Sequence, residues 1–120
     1  MLKFKALAAS ALEMADLNSF VVVLAEESDG GGMRLEIQRA LEFDEQDKQL
    51  WQDTYCVCTE SGATCYGGIA SWALLGNELE IILDVRAQSV LGVKDGFLVE
   101  LAVDADALAR ISRGLVIATS

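Results

Sequence analysis

"FVVVLAEESDGGGMRLEIQ" (residues 20–38) is the stretch whose reading decides the architecture. Phe20 to Ala25 is apolar at every position and rich in β-branched valine, as a strand covered on both faces is. Met33 to Gln38 alternates instead. Met33, Leu35 and Ile37 fall on one face and Arg34, Glu36 and Gln38 on the other, which is the period of a half-buried strand. Between them "ESDGGG" (27–32) has no large apolar side chain, so it reads as a loop and the two strands as a hairpin, with 20–25 lying centrally. The triple glycine lacks the Gly-Lys-Ser/Thr ending of a phosphate loop, and Glu26, Glu27 and Asp29 beside it would repel phosphate.

The same period extends in both directions. Residues 2–9 read as a first strand, and 54–59 and 63–75 as a hairpin across Ser61-Gly62. After a Gly76-Asn77 turn, residues 78–85 put Leu79, Ile81, Leu83 and Val85 on one face, and 97–103 form a last strand. Residues 86–92 suggest a short helix closed by Gly92. Residues 105–116 have a helical stripe of Leu108, Ile111 and Leu115, with Asp104 as its N-cap. The expectation is one α+β domain over 1–120: a largely antiparallel sheet of about seven strands built from hairpins, with a short helix near 86–92 and a C-terminal helix packed on the sheet.

Composition narrows the function. The chain has 19 acidic and 9 basic residues, a net charge of −10, and no histidine. Such a field repels nucleic acid and anionic membrane and attracts basic partners. Without histidine the commonest general base and the commonest transition-metal ligand are both missing, so no catalytic residue, metal site or cofactor is expected. Three cysteines are too few for a disulfide scaffold and point to a reducing compartment. The N-terminal apolar stretch is interrupted by Glu13 and Asp16 before a signal peptide develops, and no segment reaches the ~20 apolar residues of a spanning helix. A cytoplasmic protein is the expectation.

"ALEFDEQDKQLWQDTY" (40–55) concentrates Glu42, Asp44, Glu45, Asp47 and Asp53 around a single cation, Lys48. As an EF-hand starting at Asp44 it places Lys48 among the ligands and Gln49 where glycine belongs, so that register fails. A glycosidase-type carboxylate pair needs a larger cleft. The favoured reading is an acidic loop, with a helical turn at 44–50, anchored inward by Phe43, Leu50 and Trp51. Cys56, Cys58 and Cys65 read as free thiols. A two-residue loop at Ser61-Gly62 would face Cys58 with Cys65, while a three-residue loop with a bulge at Gly62 would separate them. Tyr66-Gly67-Gly68 marks a sharp bend, or a place where a partner chain comes close.

The run "LEIQRALEFDEQDKQLWQDTYCV" (35–57) followed by "GATCYGGI" (62–69) resembles the immunity protein 10 family of bacterial polymorphic toxin systems. The later "RAQSVLG" and the closing strand-helix unit fit as well, whereas Trp51-Gln52 stands where the family pattern has a glycine. The resemblance implies a non-enzymatic protein that binds and neutralises a cognate, basic toxin. Glu42, Asp44, Glu45, Asp47, Asp53, Tyr55 and Tyr66 are the candidate partner-binding residues. The competing readings are a small self-associating module, for instance a homodimer through a strand edge, and a carboxylate- or cysteine-dependent enzyme.

Overall fold

The computed structural model describes residues 1–50 and 53–120. Among them nine strands occur: β1 (Leu2–Ala6), β2 (Ala8–Met14), β3 (Ser19–Ala25), β4 (Arg34–Ala40), β5 (Cys56–Thr59), β6 (Thr64–Tyr66), β7 (Ile69–Leu75), β8 (Glu78–Leu83) and β9 (Gly96–Leu101). Three helices, α1 (Glu45–Gln49), α2 (Val85–Leu91) and α3 (Ala105–Ala118), complete the α+β fold. The strands form a four-stranded sheet in the order β1-β9-β8-β7 and a five-stranded sheet in the order β2-β3-β4-β5-β6. Neighbours are antiparallel except for β1 and β9, which run parallel.

The central hairpin is as the alternation implies. β3 pairs with β2 on one side and β4 on the other, in a register that sets Val22 beside Ile37 and Leu24 beside Leu35. These four side chains are buried, and they share one core with Phe97, Leu79, Ile81, Ile111 and Leu115. Both sheets, α2 and α3 therefore close on a single apolar centre. Asp104 caps α3 through a 2.8 Å hydrogen bond from the Ala107 amide, and Gly92 ends α2 in the left-handed region at φ +67°.

Two of the seven expected strands turn out to be two strands each. The segment 2–9 stops at Ala6, and the chain then enters β2, which belongs to the other sheet. The sequence of β2, "AASALEM", hides its role because alanine gives little hydrophobic contrast. The reason for the alanines is tertiary. Gly114 of α3 lies so close that a Cβ there would meet the Ala11 Cβ at 2.6 Å. Likewise 63–75 divides at Gly67 and Gly68, whose φ angles of +68° and +97° turn the chain from one sheet into the other. The bend is held from three sides. Tyr55 Oη accepts from the Ile69 amide at 2.9 Å, and the Tyr55 carbonyl accepts from the Gly67 amide at 2.8 Å. The Gly68 carbonyl accepts from the Asp84 amide at 2.8 Å.

At the β5–β6 hairpin the three-residue alternative is realised. Thr59 donates to the Ala63 carbonyl across a loop of residues 60–62, with Gly62 at φ +88°. Cys58 then lies opposite Thr64 and Val57 opposite Cys65. The one-residue shift turns Cys65 inward, where it is buried, and leaves Cys56 and Cys58 together on the outward face.

Candidate functional site: the acidic helix and the open sheet face

The acidic segment sits at the end of the five-stranded sheet. Asn18, in the left-handed conformation at φ +51°, holds its start. The Asn18 side chain donates to the Glu42 carbonyl at 2.9 Å and accepts from the Glu42 amide at 3.0 Å. Next to it the Arg39 guanidinium lies over the half-buried Phe43 ring, 5.1 Å from its centre, and also donates to the Ser120 carbonyl. This fixes the loop without Leu50, which the structure leaves 54% exposed. The expected inward anchor at Leu50 is therefore incorrect, because a helix of one turn directs that side chain to solvent. The proposed anchor at Trp51 lies outside the described residues.

Within the segment the five carboxylates divide by role. Asp44 accepts from the Asp47 amide at 2.8 Å while Asp47 accepts from the Asp44 amide at 3.1 Å, a reciprocal capping box that makes α1 possible despite its length. Glu42, Glu45 and Asp53 are exposed, and none of their carboxylates has an ion-pair partner among the described residues. Of the two tyrosines, Tyr66 is 39% exposed and Tyr55 is buried, its hydroxyl committed to the bend.

Asp47 also edges a depression of about 150 Å³ whose floor is the outward face of the sheet, with Gln38, Cys56 and Tyr66 side by side across β4, β5 and β6. Thr54 and Phe43 complete its wall. Sequence reading singled out Tyr66 and Asp47 here. It placed Gln38 on the outward face without assigning it a part, and it missed Asn18, Arg39 and Thr54, whose positions depend on which strand ends adjoin the acidic loop.

The electrostatics of this floor do not favour a nucleophile. Burial, reinforced by the neighbouring Cys58 thiol, pushes the Cys56 thiol up to about 12. A thiol so placed stays protonated at neutral pH and is inert. Burial likewise raises Tyr66, aided by the adjacent Cys56 and by the negative charge of Asp47. Among the described residues no group of three or more cysteines and carboxylates is arranged to hold a metal, and no helix is long and apolar enough to cross a membrane.

The sequence profile described as Immunity protein 10 matches residues 5–109 of the 120. No curated protein and no solved structure matches the chain. The matched span runs from β1 into α3 and takes in both sheets, the acidic segment and the Gly67-Gly68 bend. On that extent of agreement, the chain belongs to the Immunity protein 10 family.

Proposed function

We propose that the protein is a non-enzymatic immunity protein that binds and neutralises a cognate toxin of a bacterial polymorphic toxin system, in the cytoplasm of the cell it protects. The observation that carries the reading beyond family membership is the exposed rim of Glu42, Glu45 and Asp53, free of ion pairs among the described residues and set beside an open sheet face. Asp44 and Asp47 hold the rim in shape and add to its field. A basic toxin surface complements it, and such complementarity acts first on encounter, with steered on-rates reaching about 10⁸–10⁹ M⁻¹s⁻¹ at low salt. Tyr66 supplies an exposed aromatic contact, whereas Tyr55 acts through the bend that positions it.

The test is co-expression with the toxin domain encoded beside the gene, scoring growth rescue and complex formation together. Glu42→Lys, Glu45→Lys and Asp53→Lys in one chain spare the capping box. They are expected to slow association at low salt by about tenfold or more and to flatten its salt dependence. Binding that is unchanged at both low and high salt would exclude this rim from the interface.

A further inference from the structure

Among the described residues, neither α2 nor α3 lies over the outward face of the five-stranded sheet, and α1 stands at one end of it. α3 packs on the opposite face, where Gly114 meets Ala11 and Val22, and α2 lies on the side of Cys65, where Ala87 sits against Gly68. Pairing registers lay out two complete rows across the free face. One runs Leu12, Val21, Gln38, Cys56, Tyr66, and the next Ser10, Val23, Glu36, Cys58, Thr64. Leu12 is 51% exposed while Val21 beside it is buried, and the rows carry more apolar than charged side chains. Arg34 is paired with Glu36, which leaves no unpaired cation on this floor among the described residues.

Both ends of the face are acidic. At one end stands the rim at 42–53. At the other a second depression, of about 570 Å³, lies at the β2 edge, bordered by Ser10, Val23 and Ala25 of the sheet, by Asp29 of the loop carrying Glu26 and Glu27, and by Val103, Asp104 and Ala107 where the chain enters α3. Residues 26–53 hold nine of the chain's 19 carboxylates and three of its nine cations. Seven-residue strands at about 3.3 Å per residue put the two acidic ends about 20 Å apart, and five strands spaced by about 4.8 Å make the floor about as wide.

We infer that this open sheet face is the contact core of the interface. It is occupied by a basic protein whose apolar strip crosses Leu12, Val23, Cys56 and Tyr66 while cationic side chains at both ends of the strip meet the two acidic segments. The inference rests on the toxin-binding reading and names the surface for it. A floor of about 400 Å² falls short of the roughly 800 Å² per partner of a stable complex, so the acidic ends must take part. An apolar centre with a charged margin is the usual anatomy of such a contact. A second copy of this chain fits poorly, because stacking two faces along the strands in either direction sets acid against acid.

Binding of the purified full chain to the toxin domain encoded beside it tests the inference, with thermal unfolding as the control for folding. Leu12→Ser with Tyr66→Ala removes contact area without adding charge, and Ser10→Arg separately introduces a long cation at an exposed position. Each is expected to weaken Kd by about tenfold or more. Leu75→Ser, on the outward face of the other sheet, leaves it within about twofold. If the wild-type chain binds and both open-face variants bind equally well, the contact core lies elsewhere and the toxin reading survives. If the wild-type chain neither binds nor rescues growth, the toxin reading itself falls. A dimer of the free chain that the same substitutions dissociate would assign the face to a second copy and overturn the inference.

Discussion

Gly68→Ala probes the joint between the two sheets, and its effect follows from two separable terms. Gly68 sits at φ +97°, a backbone region that costs an L-residue about 1–2 kcal/mol. A Cβ at this position would also lie 2.5 Å from the Ala87 Cβ of α2 and 3.4 Å from the Cys65 sulfur. Overpacking of that kind costs about 1–3 kcal/mol. The sum is about 2–5 kcal/mol. A domain of this length has an unfolding entropy near ~250 cal/mol/K, so each kcal/mol lowers Tm by about 4 °C and the variant should melt about 8–20 °C early. Gly62→Ala supplies the control, since Gly62 has φ +88° and open space around it. It should lose only the backbone term, about 4–8 °C. Adding Ala87→Gly to Gly68→Ala removes the clash at the expense of about 1 kcal/mol of helix propensity. The double variant should therefore be more stable than the two single effects added together. Circular dichroism melts of the wild type and the four variants read all of this. If Gly68→Ala melts no earlier than Gly62→Ala, the tight packing of the bend against α2 is refuted.

Tyr55→Phe removes the acceptor of the Ile69 amide and should destabilise the protein by about 1–3 kcal/mol, read by urea unfolding, with no change in secondary structure. Asp104→Ala takes the cap from α3 and should cost about 1 kcal/mol in the same assay. The Cys56 thiol, pushed up to about 12 from 9.0, has about a thousandfold less thiolate at pH 8 than an ordinary thiol. In a chain carrying Cys58→Ser and Cys65→Ser the contribution of the neighbouring thiol is lost but burial, the larger cause, remains, so Cys56 should still react with a disulfide reagent more slowly than an ordinary thiol, and rapid modification of the folded protein would contradict its placement. Because the folded state favours the neutral thiol, the unfolded chain releases its proton first, near pH 9. The stability this contributes is intact below pH 9 and declines as pH rises toward about 12, a fall that urea titrations at pH 8.5 and 10.5 should detect. Tyr55 and Tyr66, also raised, act in the same direction.

The helical turn expected at 44–50 was legible before the fold was known and is present as α1. Asp44 and Asp47 are three residues apart, the spacing of a reciprocal cap, a signal that reading them only as surface acids passed over. Tyr66 stands out because two glycines follow it, and those glycines are the joint it rests beside. Leu50 misled because an apolar residue in a polar loop suggests an inward anchor, whereas the inward contact comes from Phe43 under Arg39, a partner from the preceding strand. Asn18 had no local signal at all. Its two hydrogen bonds to Glu42 span 24 residues, and only the return of β4 alongside β3 brings them together.

What the sequence determined by itself is therefore whatever is local. Period two in 33–38, the Asp104 cap, the Gly92 stop and the density of acid at 42–53 all survive into the structure because each depends on neighbours a few residues away. Tertiary structure decided the rest: that 2–14 is two strands in two sheets, and that 63–75 bends from one sheet into the other. It also decided that Cys56 and Cys58 face outward while Cys65 faces in. Alanine can line a close helix approach or lie in a loop with equal ease, and a hairpin of two or three loop residues has nearly the same composition. In each case the choice was made by the core that both sheets must share, since a shift of one residue would exchange every buried side chain for an exposed one.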